Sequence, residues 1–155
     1  MTPQRGPRTV VLIPGLYDSG PEHWQSVWEQ GSPDFRRVRQ RNWDTPARSD
    51  WVATLDAMIL ETGPGSVLVA HSTACALVAF WAQQNRRPVR GALLVAPSDT
   101  EAPSSPKGPT GWKPMPLAPL PFIALAFFSD CHRWPPSADE DIAFQGLQRI
   151  VCLQH

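Results

Sequence analysis

The pattern that decides the fold lies in residues 66–84, SVLVAHSTACALVAFWAQQ. The first five residues form an apolar run without polar alternation, which predicts a strand buried on both faces. Residues 75–84 follow as a helix that is apolar nearly all round, and such a helix is buried on most sides. Only His71 to Ala74 separate the two. The stretch therefore predicts a buried strand, a tight turn and a buried helix.

The turn holds a serine between small residues. Ala70-His71-Ser72-Thr73-Ala74 follows the G-x-S-x-G pattern of a nucleophile elbow, with alanine at both glycine positions. Only very small residues fit two positions before and after the serine, because the turn brings them against neighbouring backbone. Ser72 is the candidate nucleophile, and the amide of Thr73 is a candidate oxyanion donor at the helix N-terminus. The alternative is a hydroxyl that merely caps the helix.

Strand and helix patterns alternate along the rest of the chain. Further strands are predicted at residues 9–13, 35–39, 91–96, 122–128 and 150–153, and further helices at 21–30, 49–62 and 139–148, the second of these capped by Ser49 or Asp50. Buried strands separated by helices indicate an α/β fold with a mostly parallel sheet covered on both faces. The length of 155 residues predicts one domain, residues 1–155. Eight prolines between residues 97 and 121 predict a long loop at about 98–121.

Composition excludes several classes of function. Lys plus Arg equal Asp plus Glu at 14 each, so no charge excess favours nucleic acid or an anionic membrane. No apolar run approaches the roughly 20 residues of a membrane span, and the first residues, MTPQRGPRTV, do not resemble a signal peptide, so we expect a cytoplasmic protein. Three widely spaced cysteines fit neither a disulfide framework nor a zinc site, and nucleotide and metal motifs are absent from the sequence. We therefore expect no metal and no cofactor.

Four segments together resemble a known family. Residues 11–30, VLIPGLYDSGPEHWQSVWEQ, contain an extended P-G-x-x-x-S-G-P-x-H-W pattern, and residues 44–56, DTPARSDWVATLD, with SVLVAHS and GALLVAP add to it. With these segments the chain resembles the small serine hydrolases that include retinoblastoma-binding protein nine and its bacterial relatives, within the α/β-hydrolase superfamily. The resemblance implies a three-layer sandwich that acts as an esterase or amidohydrolase on a small molecule, without a cofactor. It also implies that the backbone at Gly15-Leu16 supplies a second oxyanion donor, the amide of Leu16.

The rest of the catalytic machinery is expected from chain order. A serine hydroxyl needs a histidine to take its proton, and that histidine needs a carboxylate to hold its tautomer. In this superfamily the order is Ser, Asp, His, and sites in parallel sheets lie at the carboxyl ends of the strands. Asp130 follows the strand at 122–128 and His155 follows the strand at 150–153, so they are expected to complete the triad. Asp139 is the alternative acid.

The C-terminal residues depart from the family pattern. Asp130 lies in FSDCH rather than in an S-x-x-D-P motif, and His155 ends the chain without a G-H-x-N context. These departures leave open a chain that lacks a working base through truncation or an altered reading frame. The alternative function is then a catalytically impaired hydrolase-like scaffold that binds a small ligand or a protein partner.

Other histidines and tryptophans have simpler interpretations. His71 is expected to be packed and hydrogen-bonded. His132 is disfavoured as the base, because a base two residues from Asp130 would break the order of the superfamily. His23 either lines the pocket or packs, while its neighbour Trp24 is expected to pack. Trp112 and Trp134 could bind an apolar acyl group, although a single tryptophan more often belongs to a core.

Overall fold

The computed structural model describes residues 8–116, 118–128 and 149–152. Its strands are β1 (Val10–Ile13), β2 (Phe35–Arg37), β3 (Val67–His71), β4 (Gly91–Val95), β5 (Ala124–Phe128) and β6 (Arg149–Cys152), and its helices are α1 (Trp24–Gly31), α2 (Arg48–Thr62) and α3 (Thr73–Gln84). The helix predicted at 139–148 lies outside the described residues. The other predicted elements are present, with boundaries that differ by up to three residues.

The strands form one sheet in the order β2-β1-β3-β4-β5-β6, and every neighbouring pair is parallel. Short apolar strands suit the interior of such a sheet, because helices cover both of its faces. The register pairs Ile13 with Ala70, and His71 with Val95. The chain segments that leave β1, β3 and β4 therefore emerge side by side at one edge. The predicted parallel sheet is confirmed.

The direction of strand addition reverses once. The chain passes from β1 outward to β2, and then returns across β1 to β3 and onward to β6. Because crossovers between parallel strands are right-handed, this reversal places α1 on one face of the sheet and α2 and α3 on the other. The helices α2 and α3 also contact each other. Ligand sites in such sheets lie at the carboxyl ends of the strands beside the reversal, which here are β1 and β3.

The core surrounds α3. Nine consecutive residues of this helix, from Thr73 to Trp81, are buried, as its sequence predicts. They pack with apolar side chains of the sheet and of α2, among them Leu55, Leu68 and Leu94, which are fully buried. Burial of this kind stabilises the fold by about 25 cal/mol for each Å² of apolar surface removed from water. It also holds the turn before α3 rigidly on the sheet.

Two helix starts differ from the sequence-based prediction. The helix α1 begins at Trp24 rather than near Pro21, because His23 is the N-cap and its Nδ1 accepts the backbone N–H of Gln25. The helix α2 has Ala47 as its N-cap, so neither Ser49 nor Asp50 caps it. The amide of Arg48 instead donates to the carbonyl of Thr110.

The proline-rich loop is anchored to the residues that precede α2. The amide of Thr110 donates to the carbonyl of Pro46, and the indole N–H of Trp112 donates to the same carbonyl at 3.2 Å. The ring of Trp112 packs edge-on against Trp51 and Phe80. Proline cannot donate these backbone bonds, so the loop depends on its non-proline residues for attachment. The predicted loop is thus ordered over its described residues.

Candidate active site

Ser72 lies in a strained turn between β3 and α3. Its φ of 57° and ψ of −124° are rare for a residue with a side chain, and such strain persists only where the surrounding structure enforces it. Ala70 and Ala74 are fully buried, in agreement with the need for small residues on both sides of the turn. Ser72 is the N-cap residue of α3, but its side chain makes no cap hydrogen bond. Its hydroxyl therefore does not act as the helix cap.

Gly15 packs directly against this turn. A Cβ placed on Gly15 would lie 2.9 Å from the carbonyl oxygen of His71 and 3.1 Å from the Cβ of Ser72. The same position lies 3.4 Å from the amide nitrogen of Thr73. Only glycine allows this approach, because no other residue leaves the space free. The contact brings the loop after β1 beside the candidate nucleophile.

Two backbone amides are available at this contact. Among the described residues, the amide of Leu16 has no hydrogen-bond acceptor. Thr73 is the first residue of α3, and the first amides of a helix have no acceptor within it. Both residues line the same cleft as Ser72. The arrangement offers two N–H donors and a helix N-terminus to a negatively charged oxygen near the serine.

Ser98 is a site residue to which the sequence analysis assigned no role. Its Oγ lies 2.7 Å from the Oγ of Ser72, which is ordinary hydrogen-bond length for two hydroxyls. The rule that sites follow strand ends points to residues 97–99, after β4, but a choice between Ser98 and Asp99 requires the strand register.

The cleft around Ser72 has a volume of about 810 Å³. The loop after β1 and the proline-rich loop form most of its wall, with Leu16, Tyr17, Ser72, Thr73, Ser98–Thr100, Ala102–Lys107, Pro109 and Gly111–Lys113 as lining residues. The Tyr17 side chain is 62% exposed, whereas Trp112 is buried, so Trp112 supplies cleft wall and core at once. A cleft of this size accommodates a small organic molecule.

Comparison with known proteins agrees with this geometry. The family model described as serine hydrolase matches residues 10–147. The chain belongs to the serine hydrolase family. The family-level prediction is thereby confirmed, while the likeness to retinoblastoma-binding protein nine itself stays a prediction. No curated protein sequence matches this serine hydrolase.

Solved structures share the fold of this serine hydrolase. A YdeN-like hydrolase from Pectobacterium atrosepticum is 30% identical, with a TM-score of 0.73, over 94% of this chain and 76% of that one. The ydeN product of B. subtilis is 17% identical, with a TM-score of 0.60, over 96% and 86%. Esterase PE8 is 13% identical, with a TM-score of 0.51, over 96% and 84%. These likenesses confirm the α/β-hydrolase-like fold, and the family and the first structure identify a hydrolytic enzyme.

The structure brings part of the predicted site together. Ser72, Leu16 and Thr73 line one cleft, and their catalytic roles stay a prediction. Asp130 and His155 lie outside the described residues, as do Asp139, His132 and Trp134. Within the described part of the chain, no group of three potential metal ligands occurs and no helix is long and apolar enough to cross a membrane. Cys75 is buried, and burial raises the pKa of its thiol far above the usual range, so it is an unreactive core residue.

A buried polar network supports the loop after β1. The side-chain amide of Gln25, which is fully buried, donates to the carbonyls of Ile13 and Val69 at 3.1 and 3.2 Å, while its oxygen accepts from the hydroxyl of Ser19 at 2.7 Å. Arg37 contacts the same loop, donating to the carbonyl of Ser19 and to the carboxylate of Asp18. Each partner satisfies a buried polar group that would otherwise destabilise the fold. The network holds the ends of β1 and β3 and the loop in one arrangement.

His71 and His23 form a packed pair behind the serine turn. Their ring centroids lie 4.7 Å apart in an edge-on arrangement, and both rings pack near Trp24. The packing predicted for His71 is observed, and His23 acts as a helix cap rather than as a lining residue of the cleft. Burial and the charge of His23 lower the pKa of His71, and burial and the charge of Arg37 lower the pKa of His23 although Asp18 opposes this. The folded protein therefore disfavours the protonated form of both imidazoles relative to the unfolded chain.

These lowered pKa values predict acid sensitivity. Below the unfolded pKa of about 6.5, these histidines bind protons in the unfolded chain but resist protonation in the folded protein. Their contribution to the free energy of unfolding is therefore fully present above that pH, and it is lost as the pH falls toward the folded pKa values. We expect the Tm of the wild type to fall between pH 7.5 and 5 by more than the Tm of His71→Gln does, since the variant removes one of these titrations. Thermal unfolding at several pH values measures the difference. Parallel Tm curves for the two proteins would contradict it.

Proposed function

We propose that this serine hydrolase cleaves a small ester or amide through an acyl-enzyme formed on Ser72. One observation carries the proposal: a serine held at a φ of 57° lines a cleft together with Leu16 and Thr73, and Gly15 packs directly against its turn. Enforced strain at a serine between a strand and a helix is the arrangement that exposes a nucleophile at the end of a sheet. Membership of the serine hydrolase family supports the same role.

The proposed reaction has two displacement steps. In the first, Oγ of Ser72 forms a bond to the carbonyl carbon while its proton passes to His155, and the carbonyl oxygen takes the electron pair. The amides of Leu16 and Thr73 hold that oxyanion. Its collapse expels the alcohol or amine, which takes the proton from His155. In the second displacement, water attacks the acyl-enzyme while His155 takes its proton. The bond to Oγ of Ser72 then breaks, and Oγ recovers the proton from His155.

His155 and Asp130 are proposed as base and acid on chain order, with Asp139 as the alternative acid. The family pattern requires a carboxylate and then a histidine after Ser72, and both residues follow strands of the sheet. The described strands β5 and β6 pair in parallel, Phe128 with Cys152, so the chain leaves both strands at the same edge as Ser72. The common direction of these strands supports the proposal that Asp130 and His155 act together with Ser72.

Covalent labelling tests the proposal. A fluorophosphonate probe is expected to label the wild type, and mass spectrometry is expected to locate the adduct on Ser72. His155→Ala and Asp130→Asn should each slow labelling about 100-fold or more, whereas Asp139→Asn should label at the wild-type rate. A wild type that does not label would instead favour a scaffold that binds a ligand or protein partner. Slow labelling of Asp139→Asn with normal labelling of Asp130→Asn would transfer the acid role to Asp139.

A further inference from the structure

The hydroxyl pair of Ser72 and Ser98 is held in place by the backbone on both sides. The amide of Ser72 donates to the carbonyl of Val95 at 3.0 Å, and the amide of Ser98 donates to the carbonyl of Ser72 at 3.4 Å. Ala96, which lies between Val95 and Ser98 in the chain, has a φ of 48°, and its amide donates to the carbonyl of Phe127 at 2.7 Å. The chain after β4 thus bends around Ser72 in a strained conformation that β5 stabilises. The distance of 2.7 Å between the two Oγ atoms follows from this backbone arrangement.

We propose that Ser98 is a further catalytic residue, which donates its hydroxyl proton to the nucleophilic oxygen of Ser72. The inference rests on the proposed function, since it assigns a role to Ser98 in acylation of Ser72. Each hydroxyl has one proton, so one of the two serines donates and the other accepts. If Ser72 donated its single proton to Ser98, that proton would not be directed to a base. Transfer of that proton to a base therefore requires the opposite direction, with Ser98 as the donor.

This hydrogen bond strengthens as the reaction proceeds. As the base removes the proton of Ser72, partial negative charge develops on its Oγ until the bond to the carbonyl carbon is complete, and a hydrogen bond to a charged oxygen is stronger than one between neutral groups. In the second displacement the bond between Oγ and the acyl carbon breaks, so charge develops on the same oxygen before the base returns its proton. Ser98 donates to this oxygen in both steps, and its own proton is never transferred. The hydrogen bond from Ser98 therefore stabilises the transition states more than the bound substrate, so its loss is expected to lower kcat rather than to raise KM.

Three variants test the role of Ser98. Ser98→Ala is expected to lower kcat for p-nitrophenyl acetate and the rate of fluorophosphonate labelling by about ten- to hundredfold, with KM changed little. Ser98→Thr keeps a hydroxyl and should restore most of the rate. Ser49→Ala removes an exposed serine at the start of α2 and should behave as the wild type. Thermal unfolding of each variant shows whether the fold is retained.

The outcomes separate this inference from the proposed function. If the wild type labels on Ser72 and Ser98→Ala labels equally fast, the role of Ser98 is overturned and the proposed function stands. A rise in KM at unchanged kcat would also overturn it, because substrate contact alone would then explain the effect. Loss of rate in Ser98→Ala that Ser98→Thr restores supports it. If the wild type does not label at all, the proposed function fails and the role of Ser98 fails with it.

Discussion

Replacing Ser72 by alanine is expected to lower kcat/KM for p-nitrophenyl acetate by about 10⁴-fold or more. The variant keeps the cleft and the free amides of Leu16 and Thr73, but it removes the only oxygen of that residue that can bond to the acyl carbon. Loss of a nucleophile removes the covalent pathway as a whole, so an effect of this size is typical of such variants. Activity of the purified variant is measured against a buffer blank, since only the residual rate from oxyanion binding should remain.

The same variant should retain the wild-type fold. Alanine at position 72 occupies the same backbone conformation, so the φ of 57° is neither relieved nor worsened, and Tm should change by only a few degrees. Ser49→Ala is the matched control, because it removes a serine hydroxyl that is exposed and does not line the cleft. Hydrolysis by Ser72→Ala within tenfold of the wild-type rate would show that another residue is the nucleophile.

Replacing Gly15 by alanine is expected to lower kcat/KM by about 100-fold. The added Cβ would lie 2.9 Å from the carbonyl oxygen of His71 and 3.1 Å from the Cβ of Ser72, so the loop after β1 and the serine turn must separate. Buried strands and the Gln25 network leave the turn little freedom to move. Overpacking of this kind destabilises a protein by about 1–3 kcal/mol. A misplacement of about 1 Å between nucleophile and oxyanion donors reduces the rate about 100-fold.

Gly20→Ala is the control for this variant. Gly20 belongs to the same loop, but a Cβ at that position meets no atom within 4 Å, and its φ lies outside the left-handed region. We expect wild-type kinetics and an unchanged Tm for Gly20→Ala, and slower fluorophosphonate labelling for Gly15→Ala. Equal labelling rates for the two variants would show that close contact at Gly15 is not needed for catalysis.

Several features of this enzyme are determined by local sequence. The apolar run at residues 66–70, the small residues at 70 and 74, and the apolar helix that follows predict the strand, the strained turn and α3, and all three are observed. The prediction succeeds because each of these features depends on nearest neighbours along the chain. A strand buried on both faces needs consecutive apolar residues, and a sharp turn needs small ones.

Tertiary structure decided which distant residues support the turn. Ser98 is 26 positions from Ser72, and Gln25 is 44 positions from Val69, so no local pattern relates these partners. Similarly, Ala47 replaced the predicted caps of α2 because Thr110, from the proline-rich loop, supplies the carbonyl that accepts the amide of Arg48.

The physical reason lies in how each kind of contact is specified. Hydrophobic periodicity determines which face of an element is buried, and it is written in adjacent residues. Hydrogen bonds between loops depend on strand order and register, which arise only when the whole sheet is assembled. The sequence by itself therefore determined the tight turn that holds Ser72 and the parallel sheet that carries this turn. The order β2-β1-β3-β4, which brings Gly15 and Ser98 to opposite sides of Ser72, was decided by the tertiary structure.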